Sequence, residues 1–172
     1  MQERSGIITL KGNPMILLGN DVKEGELAPD FEVIDQALTP VLFSSFSGKV
    51  CIISSVPSLD TPICDMQTRR FNQEAINLGS DVVILTISVD LPFAQKRWCG
   101  AAGVDKVITL SDHRETNFGK AFGVLIKDVR LLARAIFVVD QKGIIQYRQI
   151  VSEVSSEPDY DSVLSSVKSL IN

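Results

Sequence analysis

Between Lys49 and Leu78 the sequence passes from strand to turn to helix without a break, and this unit restricts the fold more than any other. Lys49-Val50-Cys51-Ile52-Ile53-Ser54-Ser55-Val56 is a mostly apolar run of strand length. Met66 to Leu78 is built from helix formers with no Gly or Pro, and Gly79 is placed to stop it. In the turn, Thr61 suits an N-cap and Pro62 the first helical position, where a missing N–H costs nothing. A buried strand feeding straight into a helix begins a βα unit, and a second follows. Asp81 to Asp90 is apolar on both faces for much of its length, as a central parallel strand reads. Asp90 can cap the next helix, Pro92 opens it, and Gly100 ends it just after Trp98-Cys99.

Around these units the chain predicts further pieces. Ile7-Ile8-Thr9-Leu10, a Lys11-Gly12-Asn13-Pro14 turn and Met15 to Gly19 read as a β-hairpin. Gly25 to Asp30 is connecting loop, Phe31 to Asp35 a short strand, and Val41 to Phe43 another after Thr39-Pro40. Val107 to Leu110 is a strand, and Glu115 to Phe122 a short helix interrupted by Gly119. Leu131 to Val139 and Ile144 to Val151 are strands joined by a tight turn at Asp140-Gln141-Lys142-Gly143. Pro158 to Ile171 is a helix with Tyr160, Val163, Leu164, Val167, Leu170 and Ile171 on one stripe. The pattern is that of an α/β protein with helices flanking a mixed sheet. It fits a thioredoxin-like fold with an N-terminal hairpin (about residues 7–19) added. No repeat, low-complexity tract or linker divides residues 1–172, so one domain is expected.

Composition removes several classes of function. A net charge of −4 with no basic block argues against a nucleic-acid partner. The first residues lead into no apolar signal core, and no apolar run is long enough to span a bilayer, so a cytoplasmic location is expected. Cys51, Cys64 and Cys99 form neither a disulfide framework nor Cys-x-x-Cys, and with one histidine a structural zinc site has almost no ligands. In a reducing compartment, any disulfide here is more readily catalytic than structural.

Cys64 is the residue placed for chemistry. As the third helical residue it faces unsatisfied backbone N–H groups and the positive end of the helix dipole, both of which favour thiolate. An ordinary thiol needs roughly 2.7 kcal/mol to become mainly thiolate at neutral pH. A helix end supplies about 0.3–1 kcal/mol, and up to ~2 when partly buried. A cation or further donors are therefore required. Arg134, a charge inside the apolar run Leu131 to Val139, is the candidate; Arg69 and Arg70 lie more than a turn past the cysteine.

Pro57-x-x-x-Thr61-x-x-Cys64 resembles the active-site signature of peroxiredoxins. The longer strings Pro57 to Cys64 and Asp90 to Cys99, with Lys11-Gly12-Asn13-Pro14 and Leu132-Ala133-Arg134-Ala135, resemble its thiol peroxidase branch. The resemblance covers nearly the whole chain. It implies that Cys64 is the peroxidatic cysteine, oxidised by a hydroperoxide to a sulfenic acid. It implies that Thr61 hydrogen-bonds to the sulfur and the peroxide, that Pro57 shields the pocket from water, and that Arg134 is the active-site arginine. Cys99 becomes the resolving cysteine, closing an intramolecular disulfide. The implied cycle needs no metal, haem or flavin, uses thioredoxin as reductant, and often runs in a homodimer.

Alternatives stay open at this stage. Cys51, read as core in the strand, could resolve Cys64 in place of Cys99. His113 could serve a Cys–His hydrolase, although a solvated loop histidine is the simpler reading. A peroxide-sensing switch or a general disulfide oxidoreductase would use the same fold; Gln67, where a second cysteine of Cys-x-x-Cys would stand, argues against the latter.

Overall fold

The computed structural model describes residues 1–171 and places its elements in the order β1 (Glu3–Leu10), β2 (Asn13–Leu18), β3 (Glu32–Ile34), β4 (Pro40–Leu42), β5 (Val50–Ser55), α1 (Pro62–Leu78), β6 (Val82–Ser88), α2 (Pro92–Ala102), β7 (Ile108–Ser111), α3 (Asn117–Phe122), β8 (Leu125–Ile126), β9 (Ala135–Val139), β10 (Ile145–Ile150) and α4 (Tyr160–Ile171). All six residues of β5 are buried, because the strand lies inside a seven-stranded sheet of order β10-β9-β5-β6-β7-β3-β4. It pairs parallel with β6 and antiparallel with β9, which makes the sheet mixed. Parallel neighbours require crossover helices, and α1 and α2 supply them between β5, β6 and β7.

Alternation along β5 divides the core. Cys51 and Ile53 face a cluster that includes Phe31, Phe118, Phe122 and Phe137, whose rings meet edge-on or tilted at centroid distances of 4.9–6.5 Å. Val50 and Ile52 face the other way, onto Phe71 and Leu78 of α1 and Val163, Leu164 and Val167 of α4. Each such side chain contributes about 1.5–3 kcal/mol when fully buried. The stripe foreseen on the last helix is thus the face that closes this second layer.

Several boundaries differ from expectation for identifiable reasons. Helix α2 runs through Gly100 to Ala102 and stops at Gly103, whose φ of 67° is the left-handed geometry that glycine adopts freely. Asp90 does not cap α2; Leu91 occupies that position without a side-chain cap. The Asp90 carboxylate instead accepts from Ser58 Oγ (2.7 Å), Leu59 N–H (2.9 Å) and Ser88 Oγ (2.7 Å), tying the loop after β5 to the end of β6. The strand expected from Leu131 begins only at Ala135. Leu131, Leu132 and Ala133 are drawn instead to residues 124–126, through Ile126 N–H to Leu131 O (2.8 Å) and Ala133 N–H to Val124 O (2.7 Å). Arg134 therefore stands just before β9. Strand β8, only two residues long, gave no readable pattern.

The N-terminal hairpin is longer than foreseen, and β2 also pairs with β8 to make a separate sheet, β1-β2-β8. Gly19 fastens it to α3: its φ is +109°, its N–H donates to Gln2 O (3.0 Å), and Asn20 N–H donates to Lys120 O (3.0 Å). A Cβ at Gly19 would collide with the Lys120 backbone. Gly19→Ala should therefore destabilise the protein by roughly 2–4 kcal/mol in urea unfolding, from positive-φ strain plus overpacking. A change within about 0.5 kcal/mol, the range usual for surface substitutions, would show that this seam is not closely packed.

Candidate active site

The loop after β5 leaves the sheet through Val56, whose N–H donates to Ile87 O (3.0 Å), and then passes the buried Pro57. Asp90 holds Ser58 and Leu59, and both the N–H and Oγ1 of Thr61 donate to Ser58 O (3.2 and 3.0 Å) to close a tight turn. Thr61 is the N-cap of α1 in extended geometry, as the sequence predicts, but makes no side-chain cap. Its hydroxyl is also not on the sulfur, where the resemblance puts it, because the Ser58 carbonyl takes its proton. Pro62 opens the helix, and Cys64 lies in its first turn with no exposed surface, packed among Val56, Leu59 and Trp98.

Arg134 reaches this cysteine through the strand register. Ser55 pairs with Ala135, so the residue before β9 falls beside the end of β5, from which the Cys64 loop departs. Arg134 Nη2 donates to Cys64 Sγ at 3.3 Å, Nη1 to Gln67 Oε1 at 2.8 Å, and Nε to Val154 O at 2.8 Å. Gln67 in turn donates through Nε2 to Ser54 Oγ (2.6 Å). Arg134 is 2% exposed, and Gln67 and Ser54 are fully buried. A guanidinium taken out of water needs an opposite charge or a full set of acceptors. Among the described residues no carboxylate forms an ion pair with Arg134. The sulfur is the one partner at this guanidinium that can carry the balancing negative charge.

The other sequence candidates are distributed around this pair. Cys99 is half-buried in α2, where its sulfur accepts from Gln36 Nε2 (3.6 Å) and donates to Thr109 Oγ1 (3.8 Å). Burial pushes its thiol pKa up, and the Thr109 and Gln36 contacts oppose the shift. Its neighbour Trp98 packs toward Cys64, and successive helical residues point about 100° apart, so Cys99 faces elsewhere. All three cysteines are free. Cys51 is 2% exposed on the face of β5 opposite α1, with its thiol pushed up to about 11 by burial. His113 meets Ser111 Oγ through Nδ1 (2.9 Å) at the end of β7. Among the described residues, no cluster of His, Cys, Asp or Glu is arranged to hold a metal, and no helix is long and apolar enough to cross a membrane.

Gln67, Val154 and Ser54 take part in the site without being candidates from the sequence. Gln67 had a usable signal: it stands three residues after Cys64, on the same helical face, four before the fully buried Phe71. An uncharged amide on a buried stripe needs partners, and here they are Arg134 and Ser54. Val154 contributes only its carbonyl, which no side-chain pattern announces.

Comparisons with known proteins bear on the family and the fold. The Redoxin family model matches residues 23–164. A thiol peroxidase of Bacillus subtilis is 54% identical over 164 residues, covering 95% of this chain and 98% of its own length. One from Staphylococcus aureus is 51% identical over 163 residues, with the same two coverages. Among solved structures, a peroxiredoxin-like protein from Aquifex aeolicus superposes with a TM-score of 0.90 at 38% identity, over 97% of this chain and 99% of the other. A thiol peroxidase from Chromobacterium violaceum gives 0.84 at 20% identity, over 94% and 95%, which bears on the fold alone. The expected thioredoxin-like α/β architecture is the observed one.

Replacing Gln67 by Leu would strand Arg134 Nη1 and Ser54 Oγ in a dry interior. Gln67→Leu should cost about 1–3 kcal/mol in urea unfolding, the penalty of buried polar groups left unmatched. A variant as stable as the parent would mean that the buried amide does not hold these groups.

Proposed function

Since the chain belongs to the Redoxin family, and within it to the thiol peroxidases, we propose that it reduces hydrogen peroxide and organic hydroperoxides through Cys64, with Cys99 as resolving cysteine and thioredoxin as the dithiol that resets it. The observation that carries this reading is the 3.3 Å contact between Arg134 Nη2 and Cys64 Sγ inside a buried site, with no carboxylate paired to Arg134 among the described residues. A charge-assisted hydrogen bond of this kind favours the anionic form of its acceptor.

In the first step the Cys64 thiolate attacks the terminal oxygen of ROOH. The S–O bond forms as the O–O bond breaks, the departing oxygen takes a proton and leaves as ROH or water, and Cys64 becomes a sulfenic acid. A guanidinium has five N–H groups, of which Arg134 commits three to the sulfur, Gln67 and Val154. The remaining two are available to the peroxide oxygens, where charge develops in the transition state. Thr61 Oγ1, while donating to Ser58 O, keeps lone pairs that accept the hydroperoxide proton. Pro57, buried beside the pocket, keeps water from competing. Because Cys64 has no exposed surface, the peroxide enters only when the Ser58–Thr61 turn or Trp98 shifts.

In the second step Cys99 attacks the sulfenic sulfur, a disulfide forms and water leaves. A disulfide needs Cα atoms within about 7 Å and side chains that face each other. Cys64 in a formed helical turn and Cys99 turned toward Gln36 and Thr109 do not present that arrangement, so the first turn of α1 and the end of α2 rearrange. Arg69 opposes that movement: it pairs with Asp65 (2.6 Å), donates to Ala102 O (3.2 Å), and lies over the Trp98 ring at 5.7 Å. Two thiol–disulfide exchanges with a dithiol then regenerate both cysteines. Cys51 takes no part, and a homodimer in the cytoplasm completes the reading.

The test is thioredoxin-coupled peroxide consumption. Cys64→Ser should abolish turnover; Cys99→Ser should permit one oxidation of Cys64 but no coupled cycle, and peptide mapping should find a Cys64–Cys99 bond in the oxidised parent. Sustained thioredoxin-coupled turnover by Cys99→Ser, or a Cys51–Cys64 bond, would overturn the assignment.

A further inference from the structure

Arg134 is steered at three corners, and the third corner leads away from the active site to the N-terminal hairpin. Its Nε donates to Val154 O (2.8 Å), and its own carbonyl accepts from Val151 N–H (2.9 Å), so the segment between β10 and α4 holds the arginine at both ends. That segment is irregular and gains its shape from β1. Thr9 N–H donates to Ser152 O (2.7 Å), and Val154 N–H donates to Thr9 O (2.9 Å), which brackets Glu153. The Glu153 carboxylate completes the joint. Oε1 accepts from Thr9 Oγ1 (2.9 Å) and Gly12 N–H (2.8 Å), and Oε2 from Ser155 N–H (2.8 Å) and Ser155 Oγ (2.5 Å). The Ser155 hydroxyl and N–H, followed by the other donors, hold its pKa well below the usual carboxylate range.

We propose that Glu153 is a positioning residue for Arg134: by clamping the hairpin tip to residues 152–155 it aims the Val154 carbonyl at Arg134 Nε and so fixes the guanidinium plane in which Nη2 meets Cys64. The planar fork makes this transmission direct. With the Nε corner pinned, the other two corners point at Gln67 and the sulfur; with it loose, the plane swings about the side-chain axis and Nη2 leaves the line to Sγ. The hairpin, some 140 residues away in sequence from Glu153, thereby becomes part of the apparatus that sets peroxide reactivity. This inference rests on the peroxidase reading above, and the experiment separates the two.

The second-order rate of Cys64 oxidation by hydrogen peroxide is followed by the fluorescence of the single Trp98, which packs beside the cysteine. It is measured in the parent, Arg134→Met, Glu153→Ala and the double variant, raising the peroxide concentration for slow members. Urea midpoints are taken alongside. A parent rate unaffected by Arg134→Met would sink the peroxidase reading of Arg134, and the positioning role with it. Given that slowing, Glu153→Ala should reduce the rate about tenfold in the parent, the order expected when a reacting group is misplaced by a fraction of an ångström. In the Arg134→Met background, where the guanidinium is already gone, it should have no further effect. Equal slowing in both backgrounds would show a merely structural staple, and no slowing in the parent would show that the clamp does not reach Arg134; either overturns the proposal. If Glu153→Ala does not fold, Thr9→Val, which removes one donor to Glu153, is carried through the same cycle with the same criteria.

Discussion

A buried guanidinium with no carboxylate paired to it among the described residues is the constraint on which the site depends. Arg134 is 2% exposed, and its neighbours Gln67, Val154 and Cys64 supply two neutral oxygens and one ionisable sulfur. Removing such a cation from water costs several kcal/mol unless something compensates. In the proposed mechanism a thiolate at Cys64 supplies that compensation, and the same pairing readies the sulfur as a nucleophile. On that mechanism stability and reactivity draw on one interaction, seen from its two ends.

The fold brings those ends together by topology. Strand β5 has β6 parallel on one side and β9 antiparallel on the other, so the exit of β5 and the entry of β9 coincide at one end of these strands. Cys64 follows the first and Arg134 precedes the second, which joins residues 70 positions apart. Asp90, at the end of β6, braces the intervening loop through Ser58 and Leu59. The price of this order is access: with no exposed surface, the sulfur of the proposed mechanism meets a peroxide, and later Cys99, only through local opening. In that mechanism the contacts that hold α1 to α2 bear on turnover as well as on the resting state.

What the sequence disclosed was whatever local physics determines. The strand, the Thr61-Pro62 helix start and the position of Cys64 follow from propensity and from proline at the first helical position, and the structure places them there, although Thr61 makes no side-chain cap. Arg134 is legible as a charge among apolar residues, yet its strand starts later than the apolar run suggests, because Leu132 pairs with Leu125 in a two-residue strand too short to leave a pattern. Asp90 reads as a cap because capping is a local rule; its carboxylate is taken up by Ser88 and by a loop some thirty residues earlier. Gly100 has the composition of a stop, whereas the left-handed position falls at Gly103. The roles of the Val154 carbonyl and of Ser54 arise only from three-dimensional assembly, and neither has a sequence signature.

The central claim is that Arg134 holds Cys64 as an anion in the resting protein. Its most direct test is the thiolate ultraviolet absorbance at neutral pH of a Cys51→Ser, Cys99→Ser protein, in which Cys64 is the one cysteine left. The account predicts a clear thiolate signal that disappears when Arg134 is replaced by Met in the same background. A resting thiol with no such absorbance, or a thiolate signal indifferent to the loss of the guanidinium, would contradict it.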